Sequence, residues 1–210
     1  EPVLPMAFIP AAERYTLMPA IDRWVISNAF AHCQQKAASG QAMEGVCTVN
    51  LSGHSLCEEQ FLEFVERQFE LNKVPYDKIC FEITETAAIS KLKEAVEFIT
   101  RLKRKGVVFS LDDFGSGLSS FTYLKNLPVD YIKIDGAFVR DMDSDPMDRA
   151  MVESIHHIGH VMGLKTIAEC VESEEALDHL RSIGVDYVQG EWLKAPMPLG
   201  QFIGGEPGAA

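Results

Sequence analysis

Ten polar residues stand at the ends of apolar, β-rich runs: Asn50, Glu82 and Glu85, Asp112 and Asp113, Lys133 and Asp135, Glu169 and Glu172, and Gln189. Seven are carboxylates, one is an ammonium and two are amides, types that a buried strand does not select for packing. Any one of them alone reads as a helix cap or a solvated loop charge. Their recurrence at six successive run ends points instead to a shared site, because the carboxyl ends of the strands in a parallel α/β barrel open onto one face. Carboxylates crowded there raise one another's pKa unless a cation neutralises them, so the set predicts bound metal. The donors are hard oxygens plus the Asn50 amide, with no His or Cys at any run end, which suits Mg²⁺ or Mn²⁺ rather than Zn²⁺. The adjacent pair Asp112-Asp113 suits bridging two ions, and two ions would activate a water for in-line displacement at phosphorus. Lys133 would orient that water or balance developing negative charge. The turn Phe114-Gly115-Ser116-Gly117 offers backbone N–H groups and the Ser116 hydroxyl to a phosphate.

The elements that must position these residues follow from the apolar pattern. Short, near-continuous apolar runs at Val46 to Leu51, Ile79 to Thr84, Val107 to Leu111, Tyr131 to Ile134, Lys165 to Ala168 and Val185 to Val188 predict strands buried on both faces. Between them lie helical patterns. Ile21, Trp24, Val25, Asn28 and Ala29 share one face of the first, and Ser55 with Glu58 predicts a capping box for the second. Leu92, Val96, Ile99 and Leu102 form a stripe that ends in a basic turn and Gly106. Asp145-Pro146 and Ser173 mark two further helix starts, with Gly163 and Gly184 as the stops. Six repeats of strand then helix predict a parallel α/β protein, and no Gly-x-Gly-x-x-Gly follows a strand to favour a dinucleotide-binding fold. A TIM-like (β/α)8 barrel is the better fit, with six clear strands where eight are needed.

Composition narrows the class. The 210 residues are 47% apolar and 24% charged, one ordinary globular domain, and the formal charge of −12 excludes a protein that grips the phosphates of a nucleic acid polymer. Five well-separated cysteines without a C-x-x-C pair predict neither a disulfide framework nor a zinc knuckle, and so a reducing cytoplasm. No apolar run has the length of a membrane span. The organisation expected is one barrel domain over 1–203 and a frayed tail over 204–210.

Seven motifs in order carry a resemblance to a known family: Phe8-Ile9-Pro10-Ala11-Ala12-Glu13, Val49-Asn50-Leu51-Ser52, Phe81-Glu82-Ile83-Thr84-Glu85, Asp112-Asp113-Phe114-Gly115-Ser116-Gly117, Ile132-Lys133-Ile134-Asp135, Ile167-Ala168-Glu169-Cys170-Val171-Glu172 and Val188-Gln189-Gly190. The sequence resembles the EAL-domain family, bacterial phosphodiesterases that hydrolyse cyclic di-GMP. The resemblance implies a barrel close to the TIM type and cleavage of cyclic di-GMP to linear pGpG with two Mg²⁺ or Mn²⁺ ions. It implies Asn50, Glu82, Asp112, Asp113 and Glu169 as metal ligands. Lys133 and Glu169 would act on the water, Glu85 would hold the loop after Asp113, and Gln189, Ser116 and Asp113 would meet the substrate. Glu172 and Asp135 would support the site from behind. The family's Glu-Ala-Leu, expected on a strand upstream of Phe8-Ile9-Pro10, is absent from this chain, which implies one missing ligand and a barrel without its first strand. Further departures are Cys170 where the family has Gly, Leu118 where Tyr is common, and Glu191 to Pro196 where Tyr-Leu-Phe-Gly-Lys-Pro is usual. The resemblance also implies attachment to upstream sensory or signalling domains, in the cytoplasm or on the cytoplasmic side of a membrane-anchored protein, with a homodimer as one arrangement open to it. A receptor or docking module that binds cyclic di-GMP or a protein partner without cutting is the alternative function.

Other motifs carry less. His157-Ile158-Gly159-His160 spells a synthetase signature without its Lys-Met-Ser-Lys-Ser partner, and Asp113-Phe114-Gly115 resembles the kinase magnesium motif without a His-Arg-Asp or a glycine-rich phosphate loop. His156 and His160, spaced i, i+4, have the geometry of a metal clip, but no third ligand lies near them in sequence, so a helix-surface role is expected. Cys170 lies between two acids that would keep its thiol protonated, and reads as packing.

Overall fold

Strands built from the six apolar runs alternate with helices in the computed structural model, which describes residues 3–40, 45–116 and 122–199. The chain divides into two compact units, Glu1–Phe109 and Ser110–Ala210. The first holds α1 (Pro5–Arg14), α2 (Met18–Ala38), β1 (Cys47–Leu51), α3 (Gly53–Leu56), α4 (Phe61–Asn72), β2 (Ile79–Thr84), α5 (Glu85–Ser90) and α6 (Leu92–Lys103). β1 and β2 pair in parallel with Asn50 directly beside Glu82. Aromatic rings fill the core behind them. Phe30 packs on Phe69 at 4.7 Å between centroids, and Phe98 meets Phe109 edge-on at 6.2 Å, contacts that add to the burial of large apolar surface.

Local chemistry in this unit departs from the sequence pattern at three places. Phe8-Ile9-Pro10, for which the apolar pattern gives no helix, lies inside α1, where Pro5 occupies a first-turn position that needs no N–H and Pro10 forgoes one internal bond. The buried face of α2 is Met18, Asp22, Ile26, Ala29, Phe30 and Cys33, while Trp24 is exposed. That face is rotated from the expected one and includes a buried acid, Asp22. Ser55 does not cap α4; it sits within α3, whose cap is Ser52, and Glu58 pairs with Arg23 instead.

β3 (Val108–Phe114) leads into the second unit, which continues with β4 (Tyr131–Ile134), α7 (Gly136–Asp141), α8 (Pro146–Val161), β5 (Lys165–Ala168), α9 (Glu174–Ile183) and β6 (Tyr187–Val188). From β3 to β6 every pairing is parallel and between consecutive strands. Leu111, Ile132, Ile134, Val152, Ala168 and Leu180 form its buried centre. The expected helix signals hold here: Asp145 and Ser173 cap α8 and α9 through their side chains, and Gly163 and Gly184 adopt positive φ just beyond each helix. All five cysteines are free thiols. Among the described residues no helix is long and apolar enough to cross a membrane. Gly117, Leu118 and the tail expected over 204–210 lie outside the described residues.

Candidate active site

The second unit gathers four of the predicted residues. Lys133, near the carboxyl end of β4 and only 3% exposed, sets its Nζ 2.8 Å from Asp112 Oδ1 and 2.6 Å from Glu169 Oε1. An ammonium that deep is tolerable only because two carboxylates compensate it. The register between β3 and β4 explains how two consecutive aspartates reach the same place. Ser110 and Leu111 pair with Tyr131 and Ile132, the register then shifts, and Phe114 pairs with Ile134. Asp112 and Asp113 together therefore oppose Lys133, a β-bulge. On a regular strand their side chains would point to opposite faces. Here Asp113 takes φ +54°, a left-handed conformation that Asp tolerates better than most residues, and oxygens of Asp112, Asp113 and Glu169 come within 4.8 Å of one another.

The electrostatics follow from that convergence. Burial and the neighbouring Asp112 and Asp135 raise the Asp113 pKa, against the pull of Lys133. Burial also raises that of Glu169, with Lys133 opposing and the two aspartates adding to the rise. Both acids thus hold protons more tightly than an isolated carboxyl group, the behaviour expected of a cluster one cation short of balance. Three hard carboxylate oxygens in this arrangement fit a hard divalent ion such as Mg²⁺ or Mn²⁺.

The remaining predicted residues of this unit make local contacts of their own. Asp135 caps α7, accepting from the Ala137 N–H at 2.8 Å. The Ser116 hydroxyl donates to the Asp113 carbonyl at 2.8 Å, closing the turn after the bulge. Glu172 is exposed and paired with Arg140, whose Nη2 also donates to Cys170 Sγ at 3.2 Å. Gln189 exposes its side chain while its N–H is bound to the Ala168 carbonyl at 2.8 Å. Gly190 beside it is obligatory: a Cβ there would lie 2.1 Å from the Val171 carbonyl oxygen.

In the first unit Glu82 is buried, Asn50 beside it is exposed, and Glu85, 1% exposed, opens α5 behind the Thr84 cap. A residue that the sequence reading passed over holds this strand end. Asp22 of α2 is 4% exposed, and its Oδ2 accepts from the Ser52 N–H at 2.9 Å, the Ser52 hydroxyl at 2.7 Å and the Ser55 hydroxyl at 2.6 Å. It pins the turn two residues after Asn50. The signal was an acid at i+4 from Met18 and i−4 from Ile26, on the stripe that turns inward.

The EAL domain pattern matches residues 2–196. The chain belongs to the EAL domain family. It is 43% identical over 94% of its length to cyclic di-GMP phosphodiesterase PdeB of Shewanella oneidensis, and 33% identical over 95% to cyclic di-GMP phosphodiesterase PdeF of Escherichia coli. It covers 23% and 26% of those two proteins, so the chain spans about a quarter of the length of the curated relatives it matches. Among solved structures, the PaMucR phosphodiesterase in complex with c-di-GMP superposes with a TM-score of 0.89 at 31% identity, over 96% of this chain and 81% of that one. The FimX EAL domain of Pseudomonas aeruginosa bound to c-di-GMP gives 0.84 at 30% identity, over 93% and 78%. The fold is therefore the TIM-like α/β fold of EAL domains.

One departure from the family's pattern now has a local explanation. Cys170 adopts φ +54°, a conformation in which Gly is at home, which accounts for the Gly that the family favours there. This EAL domain accommodates the side chain over Gly136, where an added Cβ would lie 2.4 Å from Cys170 Sγ.

Proposed function

We propose that this chain is the catalytic module of a divalent-metal-dependent phosphodiesterase that hydrolyses cyclic di-GMP to linear pGpG. The observation that carries the proposal is the buried Lys133 held between Asp112 and Glu169, with Asp113 turned into the same cluster by the bulge. A binding module has no evident use for so costly an arrangement of charge, whereas hydrolysis at phosphorus uses each part. The phosphodiesterase names of PdeB and PdeF and the c-di-GMP in the PaMucR complex support the choice of substrate.

Asn50, Glu82, Asp112, Asp113 and Glu169 would together hold two hard ions, Mg²⁺ or Mn²⁺. The chemistry supplied by such ions when bound is activation of water and neutralisation of charge at phosphorus. Lys133 donates its protons toward the cluster from a fixed, dry position, and so orients the attacking oxygen or stabilises charge developing on the phosphate. Glu169, whose Oε1 lies 2.6 Å from Lys133 Nζ in the same cluster, is suited to accept a proton from the attacking water. Glu85 would keep the loop after Asp113 in its working shape. Ser116, Asp113 and Gln189 would contact the nucleotide, and Asp135 and Glu172 would brace the residues that do. In the parent protein the module would be joined to upstream sensory or signalling domains.

Chromatographic assay of cyclic di-GMP with Mn²⁺, and then with EDTA, tests the reading on this chain and on one extended upstream. Release of pGpG that EDTA abolishes is the expected result. Tight binding without turnover in both chains would replace the enzyme with a receptor.

A further inference from the structure

At the amino ends of β5 and β6, away from Glu169 and Gln189, the second unit assembles a different set of donors. His156 and His160 lie one turn apart on α8 with ring centroids 4.1 Å apart. Asp186, just before β6, supplies the third group that the sequence alone did not reveal, and donor atoms of all three lie within 4.8 Å of one another. We propose that His156, His160 and Asp186 form a site for one zinc-class transition-metal ion, distinct from the carboxylate cluster at the other end of the strands.

The hydrogen bonds prepare the donors. Thr166 gives both its N–H, at 2.9 Å, and its hydroxyl proton, at 3.1 Å, to Asp186 Oδ2. A hydroxyl has one proton, so at its 2.8 Å contact with His156 Nδ1 the Thr166 oxygen accepts. His156 therefore carries its proton on Nδ1 and presents the lone pair of Nε2. Orientation of a ligating imidazole through its other nitrogen is the arrangement that metal sites use. Gly184 borders that side, the position a Cβ would take lying 3.7 Å from Nε2, an ordinary contact distance.

The charge states agree with the geometry. Partial burial, together with His160 nearby, lowers the His156 pKa and favours the neutral ring. Partial burial opposes ionisation of Asp186, but the His160 and Thr166 hydrogen bonds outweigh it and hold the carboxyl below its ordinary range. His160 Nε2 lies 2.8 Å from Asp186 Oδ2, a contact that a cation between them would replace. Two imidazoles and one carboxylate are a set preferred by Zn²⁺ and its neighbours, with a fourth position left for water. Donors around tetrahedral zinc stand about 3.3 Å apart, and one ligand atom of each residue already lies within 4.8 Å of the other two. The ion would tie α8 to the segment before β6.

Zinc titration of the untagged full chain, with excess Mg²⁺ present to occupy the oxygen-rich cluster, tests this without recourse to turnover. One zinc per chain is expected, with affinity falling at least about tenfold in His160→Gln and in Asp186→Asn and unchanged in Asp112→Asn and in the neighbouring Glu153→Gln. His160 is exposed, so His160→Gln should keep the melting temperature of the metal-free protein. With Cu²⁺ as probe, electron paramagnetic resonance should show two imidazole nitrogens in the parent chain and one in His160→Gln. Absence of zinc binding, wild-type affinity in both His160→Gln and Asp186→Asn, or a copper spectrum that His160→Gln leaves unaltered would overturn the assignment.

Discussion

Lys133 is the residue on which the catalytic reading turns. Substitution Lys133→Ala removes the donor held toward the reacting oxygen but not the groups assigned to the nucleotide. Steady-state kinetics should therefore show kcat lower by at least about a hundredfold with little change in cyclic di-GMP affinity. Equal losses in both would move Lys133 to substrate binding. Gly136 and Cys170 form a second pair whose coupling is measurable. Gly136→Ala drives a methyl into Cys170 Sγ and should cost about 1–3 kcal/mol in urea unfolding. Cys170→Gly removes both the obstacle and the strained φ, so the double variant should recover most of that loss; additive costs would show that the two do not share their space. The Gly preference at position 170 was visible as a departure from the family pattern. Its steric partner at 136 was not, because the two meet only when the turn after β5 packs on the start of α7.

At the scale of elements, the bulge in β3 and the anchor on β1 decide whether polar residues at strand ends become a site. The run Val107 to Leu111 announced a strand, yet β3 continues through Asp112 and Asp113 to Phe114. Periodicity cannot foresee a register shift that depends on β4 alongside. The β1 turn depends on Asp22 in the same way. Replacing it with Ala leaves the Ser52 N–H and two hydroxyls without their acceptor, and Asp22→Ala should lose about 3 kcal/mol of stability by denaturant titration. Asp22→Asn keeps an acceptor oxygen and should lose less. If the Ala variant unfolds at the parental midpoint, Asp22 does not hold this turn.

For the molecule as a whole, a formal charge of −12 together with a cluster of mutually repelling acids means that divalent ions act on the fold as well as on a substrate. Mg²⁺ or Mn²⁺ should raise the melting temperature, and EDTA should reverse the gain. The sign for pH follows from the raised Asp113 pKa. The folded state binds this proton more tightly than the unfolded state, so the ionised carboxylate opposes folding above that raised pKa, and the penalty fades as pH falls to the ordinary carboxylate value. Asp113→Asn should therefore melt higher than the parent at neutral pH without metal, and the gap should close on acidification. A gap that widens toward low pH would reverse the assigned sign.

The sequence by itself determined the alternation of strand and helix, the family, and which residue types stand at each strand's carboxyl end, because apolar period, caps and short motifs are local in the chain. Tertiary structure decided the rest. It turned Asp112 and Asp113 to one side through a bulge, sank Lys133 between two carboxylates, and rotated α2 so that Trp24 faces out and Asp22 faces in. It also gave the His156 and His160 pair the carboxylate of Asp186, which lies 26 residues beyond His160 in the chain. Each of these depends on what lies across a strand pair or over a helix face. A one-dimensional pattern carries the donors but not the neighbours that aim them.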